Sequence, residues 1–127
     1  MTNEAALILA AVAALQVKHF VFDFLLQRPY QFKNKGKYGH PGGILHAGLH
    51  ALGTIPCLFI LPPPFGVGLA IVVGEFLIHY HIDWTKEQIE RRFNLSTERS
   101  GHYFLLGTDQ LLHQLTYVGI VAILASQ

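Results

Sequence analysis

The stretch FGVGLAIVVGEFLIHYHIDW, from Phe65 to Trp84, decides the fold. Apart from Glu75, His79, His81 and Asp83 it is glycine, aliphatic or aromatic on every side. A helix on the outside of a soluble bundle needs a polar face, and this one has none. A helix that is apolar all round is buried in a core or crosses a membrane. Crossing takes about 20 apolar residues, because the hydrocarbon layer is about 30 Å thick and a helix rises about 1.5 Å per residue.

Three more stretches have the same character. They run from about 5 to 26, 42 to 61 and 103 to 125, and the second contains no Asp, Glu, Lys or Arg. The reading is an all-α protein: a single integral-membrane domain over 1–127, built as a four-helix bundle of four transmembrane helices. A soluble four-helix bundle is the competing architecture. The first stretch does not read as a cleaved signal peptide, since its start is acidic (Glu4) and it continues into Phe20-Val21-Phe22 without a small-residue cleavage site.

Whole-chain composition agrees. Of 127 residues 51% are hydrophobic and 13% charged, where soluble domains carry roughly 25% charged residues. A net charge of +1 supplies no basic field for nucleic acid. The lone Cys57 excludes an internal disulfide and a Cys-rich zinc site.

The links are short. Pro62-Pro63-Pro64 cannot continue a helix and joins the second and third spans tightly. The segments 28–41 and 85–101 read as loops. The second opens on the capping-box pattern Thr85-Lys86-Glu87-Gln88, and Ile89 and Phe93 follow four apart, so a short surface helix is expected there. Arg28, Lys33, Lys35 and Lys37 lie in the first loop; Lys86, Arg91, Arg92 and Arg99 lie in the second. The positive-inside rule therefore puts both loops in the cytoplasm and both termini outside, in a bacterial inner membrane. Tyr30, Trp84 and Tyr103 stand at the inner ends of three spans, where an aromatic belt belongs. Asn94-Leu95-Ser96 matches a glycosylation acceptor pattern that a cytoplasmic loop leaves empty.

Ionisable groups within a membrane are costly and mark function by default. Here they recur at a spacing of four: His19 and Asp23, His46 and His50, Glu75, His79 and Asp83, Asp109 and His113. That spacing puts each set on one helix face. Counted from the inner ends at about 1.5 Å per residue, all of them fall within about 6 to 16 Å of the cytoplasmic surface. Imidazole and carboxylate on one face suit one or two divalent ions, and the missing thiols leave Zn, Mn or Fe. His19, Asp23, His46, His50, His79, Asp83, Asp109 and His113 are the expected ligands. Glu75 or Asp109 is the expected general base.

The neighbouring polar residues have simpler readings. His81 lies about 200° round from His79 and faces elsewhere. His40 and His102 border loops. Gln16, Gln27 and Gln110 are placed to orient ligands or to bond between helices. Lys18 is expected to snorkel, with anion binding as the lesser reading. Lys86 is expected to pair with Asp83, to meet a phosphate-bearing substrate, or to mark the surface. Gly48, Gly53 and Gly74 are expected to let helices approach closely.

The motifs His19-x-x-x-Asp23-Phe24-x-Leu26-Gln27, His46-Ala47-x-x-His50, His79-x-x-Ile82-Asp83-x-x-Lys86 and Asp109-Gln110-x-x-His113 resemble a bacterial integral-membrane family, the domain of unknown function numbered 3307. The resemblance covers nearly the whole chain. It implies a small inner-membrane architecture and carries no established activity. A looser likeness is to bacterial membrane-bound metal-dependent hydrolases. The functional expectation is a metal-dependent hydrolase acting on a lipid or phosphate-containing substrate, with a homo-oligomer open. The alternatives are a divalent-metal or proton-coupled transporter, a haem- or quinone-binding protein, and a purely structural membrane protein.

Overall fold

The computed structural model describes residues 2–127, and every regular element among them is helical. The long helices are α1 (Asn3–Phe20), α3 (Pro41–Leu58), α4 (Phe65–Arg92) and α5 (Ser100–Ala125), with a short α2 (Pro29–Phe32) after the first. Thr2 caps α1 by accepting from the Ala5 amide at 3.2 Å. The α3 helix starts with proline at its first turn, and the His40 side chain accepts from the Gly42 amide. The three prolines stop α3 from running into α4.

Between α1 and the first loop, Val21–Leu25 winds as a π-helix, closed by the Leu26 amide on the Val21 carbonyl at 2.9 Å. Such turns are rare and concentrate at functional sites. Asp23 sits in the middle of this one.

Each long helix touches two others: α1 packs on α3 and α5, and α4 packs on α3 and α5. The four therefore form a ring, with α1 facing α4 across one diagonal. At the end nearer the proline turn the ring is filled by Ala11, Leu15, Cys57, Ile71, Tyr117, Ile120, Val121 and Leu124. At the loop end it is filled by histidines and carboxylates. Most large apolar side chains on the outside of the bundle are exposed, Phe59, Phe65 and Phe104 among the most so. Among the described residues two helical stretches, Asn3–Leu25 and Phe65–Arg92, are long and apolar enough to cross a membrane. The histidines, glycines and prolines of α3 and the polar stripe of α5 lower their mean hydropathy.

Several sequence expectations change. No separate surface helix starts at Thr85: α4 continues unbroken to Arg92, because nothing at Thr85 breaks it and its Lys86 bonds Glu90 at i, i+4. The first loop contains α2. Of the three glycines, Gly53 does admit close approach, since a Cβ there would strike the Phe22 ring and the Lys18 stem. Gly48 and Gly74 face open space.

Candidate metal centre

Helical spacing brings the four polar stripes to one place. His46, His50, His79 and His113 are all buried, and so are Asp83 and Asp109. Asp23 enters from the π turn. Its Oδ1 lies 3.0 Å from both His46 Nε2 and His50 Nε2, and its Oδ2 lies 3.2 Å from His19 Nε2. On the other side Asp83 Oδ2 lies 3.3 Å from His46 Nε2 and 3.4 Å from His79 Nε2. Asp83 Oδ1 is 3.5 Å from His113 Nε2, which is 3.6 Å from Asp109 Oδ1.

The count of protons makes this crowding informative. One ring nitrogen carries one proton or one lone pair. His46 Nε2 nevertheless has Asp23 Oδ1, Asp83 Oδ2 and, at 3.1 Å, His79 Nε2 around it. Hydrogen bonding cannot satisfy all three. Ligand atoms in a tetrahedron on one zinc, at about 2.0–2.1 Å each, stand about 3.3 Å from one another. The spacings around His46 Nε2, 3.0, 3.1 and 3.3 Å, are close to that edge length.

Two ligand sets result. Asp23, His46, His50 and His79 form one, and His79, Asp83 and His113 form the other, the atoms of each set lying within 4.8 Å of one another. His79 belongs to both. His19 and Asp109 border the sets through Asp23 and His113. His113 Nε2 and Asp109 Oδ1 are buried and have no hydrogen-bond partner, as is also true of the Nδ1 atoms of His50 and His79. Buried polar atoms are rarely left so, and each calls for an explanation such as an ion.

Second contacts hold the ligands. His19 Nδ1 is 3.0 Å from the Tyr117 hydroxyl, and its Nε2 is 2.9 Å from Gln110 Oε1. Gln110 also donates to Asp109 Oδ2, and Gln27 donates to the Asp23 carbonyl. Tyr117 was not legible as a partner, because an aromatic residue eight before the end of an apolar stripe reads as core.

Three lysine and glutamate placements differ from expectation. Lys18 does not snorkel. It is buried, ion-paired with Glu75 and donates to the His50 carbonyl at 3.2 Å. Glu75 takes a further bond from Thr54, and its carboxylate meets no imidazole. Asp83 pairs with Lys35 at 3.0 Å, not with Lys86, which binds Glu87 and Glu90. Lys35 gets there because its loop is pinned: Gln88 on α4 donates to the Gly36 carbonyl at 2.8 Å. His81 is exposed and bonds the Leu77 carbonyl, His102 pairs with Glu90, and neither joins the cluster.

A small cleft of about 140 Å³ opens over the cluster at the loop end and is lined by Asp23, Asp83, Asp109, Gln110, Lys35 and Lys86 among others.

The family described as "Protein of unknown function (DUF3307)" matches residues 11–127. The chain belongs to this family. Every ligand candidate of the DUF3307 chain falls inside the matched region. Neither a curated protein nor a solved structure gives a match.

Proposed function

We propose that this DUF3307 chain is a four-span inner-membrane protein whose buried histidine and aspartate cluster holds one or two divalent ions, Zn, Mn or Fe, and uses them for hydrolysis at the cytoplasmic face. The observation that carries the metal reading is the convergence of several Nε2 atoms and two aspartates at metal-ligand spacing around His46. The membrane reading is supported by the apolar exterior, by basic residues gathered at one end of the bundle, in the first loop, the last turns of α4 and the link to α5, and by Tyr30 and Tyr103 exposed at that same end.

A bound divalent ion lowers the pKa of its water and polarises a carbonyl or phosphoryl oxygen. Asp109 suits the general base. It lines the cleft, its Oδ2 accepts from Gln110, and its Oδ1 stands 3.6 Å from His113 Nε2 without a hydrogen bond. Glu75, held by Lys18 and Thr54, is left to a structural role.

The packing speaks against the other readings. Transport needs access from both faces, and the apolar core from Ala11 to Leu124 fills the far end of the ring. Haem needs a slot between axial histidines, whereas His50 and His79 have ring centroids 3.9 Å apart. Asp109→Asn in the metal-loaded protein is expected to slow hydrolysis of a chromogenic phosphodiester by about 10²–10⁴ with the metal retained. Unchanged hydrolysis in that variant would remove Asp109 from the chemistry.

A further inference from the structure

The cleft over the cluster adjoins an apolar crevice between α4 and α5, with Lys86 and Asp109 at the boundary. The crevice has a volume of about 370 Å³, with Ile78, Ile82, Ile89, Leu105 and Leu112 on its walls. Lys86 and Asp109 line both spaces. Two other apolar grooves of similar size lie on the bundle, and neither shares a residue with the cleft. Ile78 and Leu112 are about half exposed, so the crevice opens sideways onto the outer surface of the bundle. Its volume lies within the range of small-molecule sites, about 300–1,000 Å³.

The polar end has a defined charge. Asp23, Asp83, Glu87 and Asp109, together with Glu90 on Lys86, oppose Lys35 and Lys86, which leaves three negative charges, so two divalent ions turn the site net positive and able to hold an anion. Lys86 is held at the junction by Glu87 at 3.0 Å and Glu90 at 2.8 Å. An ammonium has three donors, so one remains for a ligand. With the metal in place, an anionic group at the junction meets the metal and the third donor of Lys86. An apolar chain attached to it enters the crevice.

From this geometry we infer that the ligand of the site is an anionic phospholipid, its phosphate over the cluster and an acyl chain between α4 and α5. The inference rests on the metal reading for its phosphate contact and on the crevice for its chain. The acyl chain reaches the crevice from the bilayer without passing through water, because the opening is lateral.

The test uses the full-length protein in nanodiscs of phosphatidylglycerol or phosphatidylcholine, with metal content measured on the same samples. After transfer to mild detergent, retained lipid is counted by native mass spectrometry. The expected result is retention of phosphatidylglycerol over phosphatidylcholine. Lys86→Gln is expected to reduce that preference about five-fold. Leu112→Trp, which fills the crevice, is expected to abolish retention of either lipid with metal content unchanged. Equal retention of the two lipids, insensitive to both variants in metal-loaded protein, overturns the lipid assignment and leaves the metal reading standing. Displacement of bound phosphatidylglycerol by glycerol phosphate at equal concentration also overturns it, because the crevice then contributes nothing. Selective, variant-sensitive retention in protein that holds no metal supports the crevice and contradicts the metal reading instead.

Discussion

Lys18 on α1 and Glu75 on α4 meet across the diagonal of the helix ring, one turn below the imidazoles. Both are buried, and the pair is completed by Thr54 on Glu75 and by the His50 carbonyl on Lys18. The ammonium also lies 4.4 Å from the centre of the Tyr117 ring. The pair thus ties α1 to α4, which share no direct backbone contact, and closes the polar cluster toward the apolar core.

Removing one member leaves a buried charge alone. Lys18→Met or Glu75→Gln is expected to cost about 3–5 kcal/mol, while the double change Lys18→Met with Glu75→Leu recovers most of it. Thermal unfolding of the three variants in one detergent, followed by circular dichroism, checks this. Single variants as stable as the parent would show that the pair holds nothing together.

Lys35 touches Asp83 Oδ2, an atom of the proposed site, so its ammonium competes with an incoming cation. Lys35→Met is expected to raise divalent-metal affinity about ten-fold, about 1.4 kcal/mol. The same variant is expected to destabilise the metal-free protein, because Asp83 loses its partner. Titration with Zn and unfolding in chelator read the two effects separately, and they should have opposite signs.

The Tyr117 hydroxyl meets His19 Nδ1 and so fixes which nitrogen His19 presents to the cluster. A partner that orients a ligating side chain is worth about 10–100-fold in metal affinity, and His19 acts on the ligand Asp23. Tyr117→Phe, one contact further out, is expected to weaken metal binding by about the lower end of that range, about ten-fold, with folding retained, since the ring and its contact with Lys18 remain. Equal zinc affinity in parent and variant would reduce Tyr117 to core packing.

The polar ladders were readable because four-residue spacing on a helix is geometry. On α4, Glu75, His79 and Asp83 climb one face, and on α5 His113 and Asp109 do the same. Their common depth along the bundle followed from counting residues from the helix ends. What lay outside that reading came from contacts between elements distant in sequence. Lys35 reaches Asp83 only because the first loop folds back onto α4. Lys18 is one residue before His19, off the stripe by spacing alone and so expected to snorkel, yet Glu75 and Thr54 stand where its long stem ends. Asp23 meets His46 and His50 from a π turn, which no residue spacing announces. The unbroken run of α4 through Thr85 was hidden by a capping-box pattern that the folded helix does not use.

The most direct test of the metal centre is elemental analysis of the full-length protein purified in mild detergent without chelator. The parent is expected to hold about one or two divalent ions per chain. His50→Ala and Asp83→Ala remove a ligand from each of the two sets, and each is expected to lose metal. A folded parent protein free of divalent metal, or metal content unchanged in both variants, would contradict the account.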